Sequence, residues 1–282
     1  MKTAQALSAA ILALAATAAQ AQENPAGDPH YLADRGSGIS MSQFGTFVEP
    51  GDRVIYLFYE YTRTPEFEYH PSELGSIGGQ DFLGRLTENE GLLYFAYGVS
   101  ERLAVEVEGA LYAKTTFEKA PDDPSDLPPR FSESGLGDVE GQLRWRWHPE
   151  SEDHAELYSY LEVVLPLQKD KLLIGTQHWE GALGLGVLRG HSWGTIGGRI
   201  AAAWDGEDSR LELGEYAFEY LKRLSPRWRL VAALEGESEE VSLIGEAQWT
   251  LSEHALLKLN CGFGLSPQSP DIAPEVGLMI RF

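Results

Sequence analysis

Apolar and polar residues alternate along most of this 282-residue chain. The last nine residues show the pattern most simply. Pro274, Val276, Leu278, Ile280 and Phe282 fall on one face, and Glu275, Gly277, Met279 and Arg281 fall on the other. Because side chains of a β-strand point alternately to its two faces, this period of two predicts a strand with one apolar face.

Twelve segments carry this alternation from Asp52 onward, each about ten residues long and separated by turn-like clusters. They lie near 52–62, 88–98, 102–113, 135–147, 155–166, 176–188, 193–204, 210–221, 227–236, 241–251, 255–265 and 274–282. The alternation is most regular in 102–113, 135–147 and 241–251. An even number of strands is expected when both chain ends lie on the same side of an outer-membrane barrel.

A soluble β-sandwich and a periplasmic lipocalin-like barrel also have strands in which apolar and polar residues alternate. Strand length distinguishes a membrane barrel from both. Ordinary strands run about 5–6 residues, whereas a tilted bilayer crossing needs about 9–11. The links also alternate in length, being short at 99–101, 148–154, 189–192, 222–226 and 252–254 and longer at 63–87, 114–134, 167–175 and 266–273. Two further links, 205–209 and 237–240, are short on the side of the longer ones. The sequence therefore predicts an all-β fold, a 12-stranded antiparallel transmembrane β-barrel over residues 52–282.

Residues 1–21 have the features of an export signal. Lys2 gives a basic start, 9–19 form an apolar run, and Ala19-Gln20-Ala21 is a cleavage site, so the mature chain is expected to begin at Gln22. The apolar run is shorter than the roughly 20 residues of a membrane-spanning helix. Residues 22–51 are polar and rich in glycine, and the sequence leaves open whether they form a periplasmic tail or a small plug. The expected location is the cell outer membrane.

Composition narrows the possible partners. A net charge of −21 and a pI near 4.6 argue against nucleic acid as a partner. Cys261 is the single cysteine, so no internal disulfide is expected. Aromatic residues cluster near the predicted strand ends, as in the interfacial belts of membrane proteins: Trp145, Trp147, Trp193, Trp204, Trp228, Trp249 and Phe282.

The sequence has no recognisable catalytic or metal-binding set, so the chain is predicted not to be an enzyme and to hold no cofactor. The seven histidines are His30, His70, His148, His154, His178, His191 and His254, and all but His178 fall in predicted turns or loops. His178 is predicted to face the lumen. No segment places His and Ser together on the lipid face, and no GxSxG, HExxH or P-loop pattern occurs. The acidic runs 122–126 and 150–153 lack EF-hand spacing and are interpreted as solvated loop charge, with divalent bridging to lipopolysaccharide phosphates as the alternative.

The polar faces of the segments are predicted to line the barrel interior. The lumen-facing candidates are Glu106, Glu108, Asp138, Glu140, Arg144, Arg146, Glu162, Glu180, Arg199, Glu219, Arg229, Glu246 and Lys258. Charges in a confined interior need partners. Because neighbouring strands oppose their side chains, Glu106 or Glu108 is expected to pair with Arg144 or Arg146. Two alternatives stay open: an ion-pair network that plugs the barrel, or a constriction in which surplus carboxylates favour cations and neutral solutes over anions.

The stretch from Ser134 to Trp147, SGLGDVEGQLRWRW, resembles a strand of outer-membrane barrels grouped as MetA-like proteins of phenol-degradation pathways. Gly51-Asp52 and the terminal Phe282 fit the same group. The strand 274–282 also resembles the closing strand of bacterial outer-membrane barrels, in which the strand with its final aromatic residue is the insertion signal read by the barrel-assembly machinery. The resemblance implies a transporter-like barrel, surrounded by outer-membrane lipids and lipopolysaccharide, that passes or binds small hydrophobic or aromatic solutes. A plugged structural or surface-interaction barrel, or a lipid-modifying enzyme, is the alternative.

Overall fold

The computed structural model describes residues 29–36, 47–206, 210–238 and 240–282. A short 3-10 helix, His30–Leu32, precedes thirteen strands. These are β1 Arg53–Tyr69, β2 Phe82–Ser100, β3 Leu103–Glu118, β4 Arg130–Gly135, β5 Val139–His148, β6 Glu156–Val164, β7 Glu180–His191, β8 Gly194–Asp205, β9 Arg210–Arg223, β10 Trp228–Glu237, β11 Glu240–Ser252, β12 Ala255–Gly264 and β13 Ala273–Arg281. Among the described residues, no helix has the length and apolar character required to span a membrane.

The strands form a closed antiparallel barrel of twelve crossings. β1 pairs with both β2 and β13, which joins the two ends of the sheet. β4 and β5 both pair with β3, β4 along its far half and β5 along its first half, so together they make one crossing. The predicted 12-stranded antiparallel barrel is confirmed. Closure matters because a closed sheet leaves no row of unpaired backbone groups at an edge.

The crossing predicted at 135–147 is interrupted at 136–138, between β4 and β5. Here the Gly137 N–H donates to the Ala110 carbonyl and the Ala110 N–H donates to the Asp138 carbonyl, each at 2.9 Å. A Cβ on Gly137 would lie 2.6 Å from the Ala110 Cβ, so only glycine permits this approach. The prediction of a continuous strand was therefore wrong at its start, because the alternation of side chains does not reveal this local change in backbone pairing.

Strands β1, β2 and β3 continue well beyond their predicted ends. β1 and β2 pair from Arg53–Tyr97 as far as Tyr69–Phe82, so most of 63–87, predicted as a long link, is a paired hairpin. The pairing shifts register between Thr64 and Phe67, beside Pro65, which lacks the backbone N–H that a ladder hydrogen bond requires. At the far end of this hairpin, apolar side chains from β1 to β4 and from the adjoining loops pack into a cluster of their own. The barrel therefore rises higher on this side than on the opposite one.

The two rims of the barrel differ. One, called here the terminal rim, contains Arg53 and Phe282, which exchange backbone hydrogen bonds of 2.9 and 3.2 Å, and it carries the short turns. The other, the far rim, carries the longer loops. Between them the outward faces are apolar, and Leu183 remains 63% exposed. Trp193 and Trp204 lie at the two edges of this band, at the ends of β8. For a tilted strand, their separation along the barrel axis is about 25–28 Å, close to the height of the apolar band of an outer-membrane barrel.

Candidate functional site: the barrel lumen

A cavity of about 400 Å³ occupies the barrel interior. It extends from Glu237 and Glu240, which are exposed at the far rim, down to Lys258 and Met279. Its charged lining consists of eight glutamates and three bases: Glu106, Glu108, Glu140, Glu162, Glu215, Glu235, Glu237, Glu240, Arg144, Arg199 and Lys258. Carboxyl groups thus outnumber bases, so the formal charge of the lining is negative.

Each of the three lining bases contacts both a carboxylate and a tyrosine ring. The Arg144 guanidinium lies 3.3 Å from the Glu106 carboxylate and 5.0 Å from the centre of the Tyr158 ring. Likewise, the Lys258 ammonium lies 3.2 Å from the Glu246 carboxylate and 4.8 Å from the centre of the Tyr56 ring. The Arg199 guanidinium pairs with the Glu215 carboxylate and lies 5.8 Å from the centre of the Tyr160 ring. The cavity therefore stabilises a cation by an ion pair and a ring face together.

Other lining carboxylates have no such base. Glu108 stands opposite Tyr94 on β2 and opposite Glu140 on β5. Within the described part of the chain, no Lys or Arg lies within 4.0 Å of the Glu108 or Glu140 carboxylate. Glu162, on β6, accepts a hydrogen bond of 2.8 Å from the Gln142 amide. The surplus carboxyl groups lie in the middle and far part of the cavity.

Glycines on β7 keep part of the lumen free of side chains. The Tyr160 and Tyr158 rings from β6 lie over Gly184 and Gly186, where a Cβ would come within 2.1 Å of either ring. Because these two positions lack side chains, the rings lie flat against the barrel wall instead of projecting into the cavity. Replacing either glycine would force the ring above it to move.

Residues 29–36 and 47–52, called here the amino-terminal segment, lie across the terminal rim. Phe47 and Val48 are fully buried and pack with Val54, Ala96 and Leu256. The segment passes so close to the barrel wall that a Cβ on Gly98 would lie 2.0 Å from the Glu49 carbonyl oxygen. A Cβ on Gly190 would likewise lie 1.8 Å from the Tyr31 carbonyl oxygen. The segment therefore covers the cavity at this rim.

Buried ionic contacts hold the same segment. Arg35 pairs with Glu150, and both side chains are almost completely buried. Asp34 pairs with Lys222 at 3.2 Å, and its carbonyl accepts a hydrogen bond of 3.0 Å from the Arg229 guanidinium. Burial raises the pKa of the Glu150 carboxyl, against the opposing effect of the Arg35 charge. Such pairs are costly to break one partner at a time, so the segment is firmly attached.

Of the thirteen residues predicted to face the lumen, seven line the cavity: Glu106, Glu108, Glu140, Arg144, Glu162, Arg199 and Lys258. Arg146 and Arg229 lie at the terminal rim against the amino-terminal segment, and Glu219 and Glu246 are buried in the interior without lining the cavity. Glu106 pairs with Arg144, one of the expected combinations, whereas Arg146 instead lies 3.0 Å from Glu49. The sequence pattern could not show that the amino-terminal segment supplies this partner.

Asp138 and Glu180 belong to the far rim. Asp138 is exposed in the interruption between β4 and β5, and its carboxylate accepts a hydrogen bond of 2.5 Å from the Thr176 N–H. Glu180 accepts a hydrogen bond of 2.5 Å from the Thr176 hydroxyl. The prediction that His178 faces the lumen was wrong, because β7 begins at Glu180 and His178 is exposed in the preceding loop.

The acidic run 122–126 folds onto its own neighbours. Asp123 accepts hydrogen bonds of 2.7 Å from the Tyr69 hydroxyl and 2.8 Å from the Ser125 N–H. Within the described ranges, no group of three or more His, Cys, Asp or Glu side chains is arranged to hold a metal ion.

The candidate set omitted several cavity residues, among them Tyr56, Phe58, Tyr94, Glu215, Glu235, Glu237, Glu240 and Met279. A signal for two of them was present in the sequence. Counting in steps of two from Arg229, already assigned to the lumen, reaches Glu235 and then Glu237 on the same face of β10. The aromatic residues had no comparable signal, because tyrosine and phenylalanine occur on lipid-facing rows as well.

A solved outer-membrane channel shares this fold. The COG4313 outer membrane channel from Pseudomonas putida F1 has a TM-score of 0.60 at 14% identity, covering 86% of this chain and 100% of that chain. The Ralstonia pickettii toluene transporter TbuX matches more loosely, with a TM-score of 0.46 at 8% identity over 83% of this chain and 90% of that chain. The translocator domain of autotransporter NalP from Neisseria meningitidis has a TM-score of 0.43 at 13% identity, covering 83% of this chain and 89% of that chain. No protein-family model and no curated protein matches the chain, so the MetA-like resemblance is not confirmed.

Proposed function

We propose that this protein is a passive outer-membrane channel that admits small solutes from the cell surface into its acidic lumen. The observation that carries the proposal is a continuous cavity of about 400 Å³ that reaches the far rim and is covered at the terminal rim by the amino-terminal segment. The shared fold of the Pseudomonas putida outer membrane channel supports it. In this proposal the terminal rim faces the periplasm, and residues 1–21, which lie outside the described residues, direct export and are removed after Ala21.

The lining gives the channel a preference for cations. Surplus carboxylates in a confined, low-dielectric space attract cations and repel anions, and the effect is strongest where no base is near. Bases that are already paired, as Arg144 is with Glu106, do not cancel the charge of the remaining carboxylates. Neutral solutes small enough for the cavity are not excluded by its charge.

The solute is expected to have an apolar or aromatic part. Tyr56, Phe58, Tyr94 and Met279 contribute apolar surface to the same cavity, and aromatic rings favour stacked or edge contacts with a ring of the solute. The resemblance of 134–147 to barrels of phenol-degradation pathways points in the same direction. Around the barrel, the apolar outward band is expected to contact outer-membrane lipids and lipopolysaccharide after insertion by the barrel-assembly machinery.

Passage requires the amino-terminal segment to move. Phe47 and Val48 are fully buried under the cavity, so a solute cannot leave at the terminal rim while they are in place. The same observation favours the second candidate function, a plugged barrel with a structural or surface-interaction role. No catalytic role is proposed.

Liposome swelling tests the proposal. Folded protein in liposomes should admit small protonated amines and small neutral solutes faster than organic acids of the same size. Protein-free liposomes and liposomes with heat-unfolded protein give the background rates. Swelling at background rate for every solute, with the barrel shown to be folded by circular dichroism, would favour the plugged barrel.

A further inference from the structure

Basic side chains face outward on the raised wall that β1 to β4 form at the far rim. Arg63 is exposed on the face of β1 that also presents the exposed Leu57, and Lys114 is exposed on the face of β3 that presents Tyr112. The net charge of the chain is −21, so a local group of bases runs against its overall composition. Together with a base from the loop after β6, these side chains are called here the outer basic surface: Arg63, Arg85, Lys114, Arg130 and Lys171.

Strand pairing places these bases beside hydroxyl and amide groups. Lys114 on β3 stands between Asn89 on β2 and Ser134 on β4, all in one row across the sheet. The Lys171 ammonium joins this row, 3.5 Å from the Ser134 carbonyl oxygen. Because neighbouring strands lie about 4.8 Å apart, groups of one row can contact the same phosphate.

The bases retain hydrogen-bond donors for a partner outside the chain. Among the residues that the structure describes, neither Arg63 nor Lys114 has a carboxylate within 4.0 Å. The Glu118 carboxylate is shared by two arginines, 3.1 Å from Arg85 and 3.7 Å from Arg130. A guanidinium has five N–H donors, so each arginine can also bind an anionic oxygen. The surface therefore complements a ligand with several negative charges.

The outer basic surface begins where the apolar band of the barrel ends. Arg63 and Lys114 lie ten and eleven residues along β1 and β3, and Trp204, at the edge of the band, lies ten residues along β8. All three strands begin at the terminal rim, so these positions have similar heights. The Tyr59 hydroxyl donates a hydrogen bond of 2.7 Å to Asn89, as expected of a tyrosine at a membrane interface. The bases therefore lie at the level of lipid headgroups.

The sheet behind these bases is packed on its other face. Tyr69, Phe82 and Phe117 are buried there in the apolar cluster that the adjoining loops complete. On the outward face, the Thr116 and Ser132 hydroxyls form a hydrogen bond of 2.8 Å between β3 and β4. The backbone that carries the bases is thus already ordered, which lowers the entropic cost of binding a ligand.

We infer that the outer basic surface binds the phosphate groups of lipopolysaccharide in the outer leaflet of the membrane. The inference rests on the orientation proposed above, with the far rim at the cell surface, and it assigns a specific lipid partner to one side of the barrel. Phosphates on the sugar headgroup of this lipid carry several negative charges just above the acyl chains, at the height of the bases. The acidic Glu66 and Glu68 lie beyond Arg63 on β1, farther from the membrane.

Native mass spectrometry of the folded full-length barrel in detergent tests the surface without requiring conduction. The probe is lipid A with both phosphates, and the comparison lipids are lipid A without phosphates and phosphatidylglycerol. Both comparison lipids should bind at least about fivefold more weakly than the probe. Arg63→Gln combined with Lys114→Gln should weaken binding of the probe about tenfold or more. Arg85→Gln combined with Arg130→Gln should weaken it about threefold to tenfold, since these two arginines share Glu118.

Arg53→Gln combined with Arg102→Gln is the matched control, since it removes the same charge from exposed bases at the terminal rim. Its affinity for the probe should stay within about twofold of that of the natural chain. Equal weakening by this control would mean that overall charge attracts the lipid, and would overturn the inference.

Equal affinity for lipid A with and without phosphates would also overturn the inference, as would unchanged binding by both far-rim variants when circular dichroism shows that they are folded. Solute flux distinguishes this outcome from failure of the proposed function. Binding of lipid A as expected, without flux of any solute, would contradict the channel while supporting the surface. Flux without preferential binding of lipid A would do the reverse.

Discussion

Two glycines determine whether the amino-terminal segment can remain in place. At Gly98 and Gly190 the segment passes so close that an added Cβ would lie 2.0 Å from the Glu49 carbonyl oxygen and 1.8 Å from the Tyr31 carbonyl oxygen. Ordinary contacts of this kind begin near 3.4 Å. In Gly98→Ala combined with Gly190→Ala, the backbone of the segment must therefore retreat by about 1.5 Å at both positions.

The size of the effect follows from what the retreat disrupts. Glu150 accepts a hydrogen bond of 2.8 Å from the Gly190 N–H and pairs with the buried Arg35, so a shift beside Gly190 disturbs this pair. Breaking a buried ion pair costs about 3–5 kcal/mol, which corresponds to a shift of roughly 10²- to 5 × 10³-fold from the covered to the uncovered state. The strands themselves should be stabilised slightly, because glycine in a strand interior is about 0.5–1 kcal/mol less favourable than alanine.

Single-channel recording together with limited proteolysis measures both effects. The double variant should show a higher open probability than the natural chain and faster cleavage within the amino-terminal segment. Gly245→Ala is the matched control, since a Cβ there would meet no atom within 4 Å. A double variant with unchanged open probability and unchanged cleavage would refute the assignment of the segment as the cover of this rim.

Three further predictions concern the barrel wall, the lumen and a far-rim loop. Leu143→Arg, at an outward position that is 48% exposed, should destabilise the barrel in lipid by about 2–4 kcal/mol, and more than Leu143→Ala does, as measured by urea unfolding in vesicles. Gly186→Ala should push the Tyr158 ring into the lumen and lower single-channel conductance without a matching loss of stability; unchanged conductance would contradict this. The hydrogen bond with Asp81 raises the pKa of His70, so its contribution to loop stability is present below the unfolded-state pKa and is lost as pH rises through the raised value. Asp81→Asn should lower the His70 pKa measured by NMR titration, and an unchanged pKa would exclude this pairing.

The strands could be predicted from the sequence because a barrel wall separates lipid from lumen at every residue. That separation imposes a strict period of two, clear in 241–251, which corresponds closely to β11, Glu240–Ser252. The pattern weakens where both faces of the sheet are polar or where the backbone changes register. The extension of β1 to Tyr69 was missed for this reason, since its outer part contains Pro65 and a shift in pairing. The interruption after Gly135 depends on a close contact with Ala110, which no single-strand pattern reveals.

The lumen was predicted in part for the same physical reason. Alternation fixes which face a residue occupies, so Glu106, Glu140 and Arg144 could be assigned to the cavity before their contacts were known. It does not fix which partner a charge finds across the lumen. Arg146 contacts Glu49, which comes from a segment without periodicity and 97 residues away in the chain. Long-range partners of this kind require the folded structure.

The reversal potential across a planar bilayer under a KCl gradient tests the central claim most directly. In the double variant Gly98→Ala with Gly190→Ala, the uncovered barrel should show a reversal potential of the cation-selective sign, since eight glutamates and three bases line its cavity. Neutralising Glu108 and Glu140 should reduce that selectivity. A reversal potential of the anion-selective sign, or no current from the folded double variant, would contradict the account.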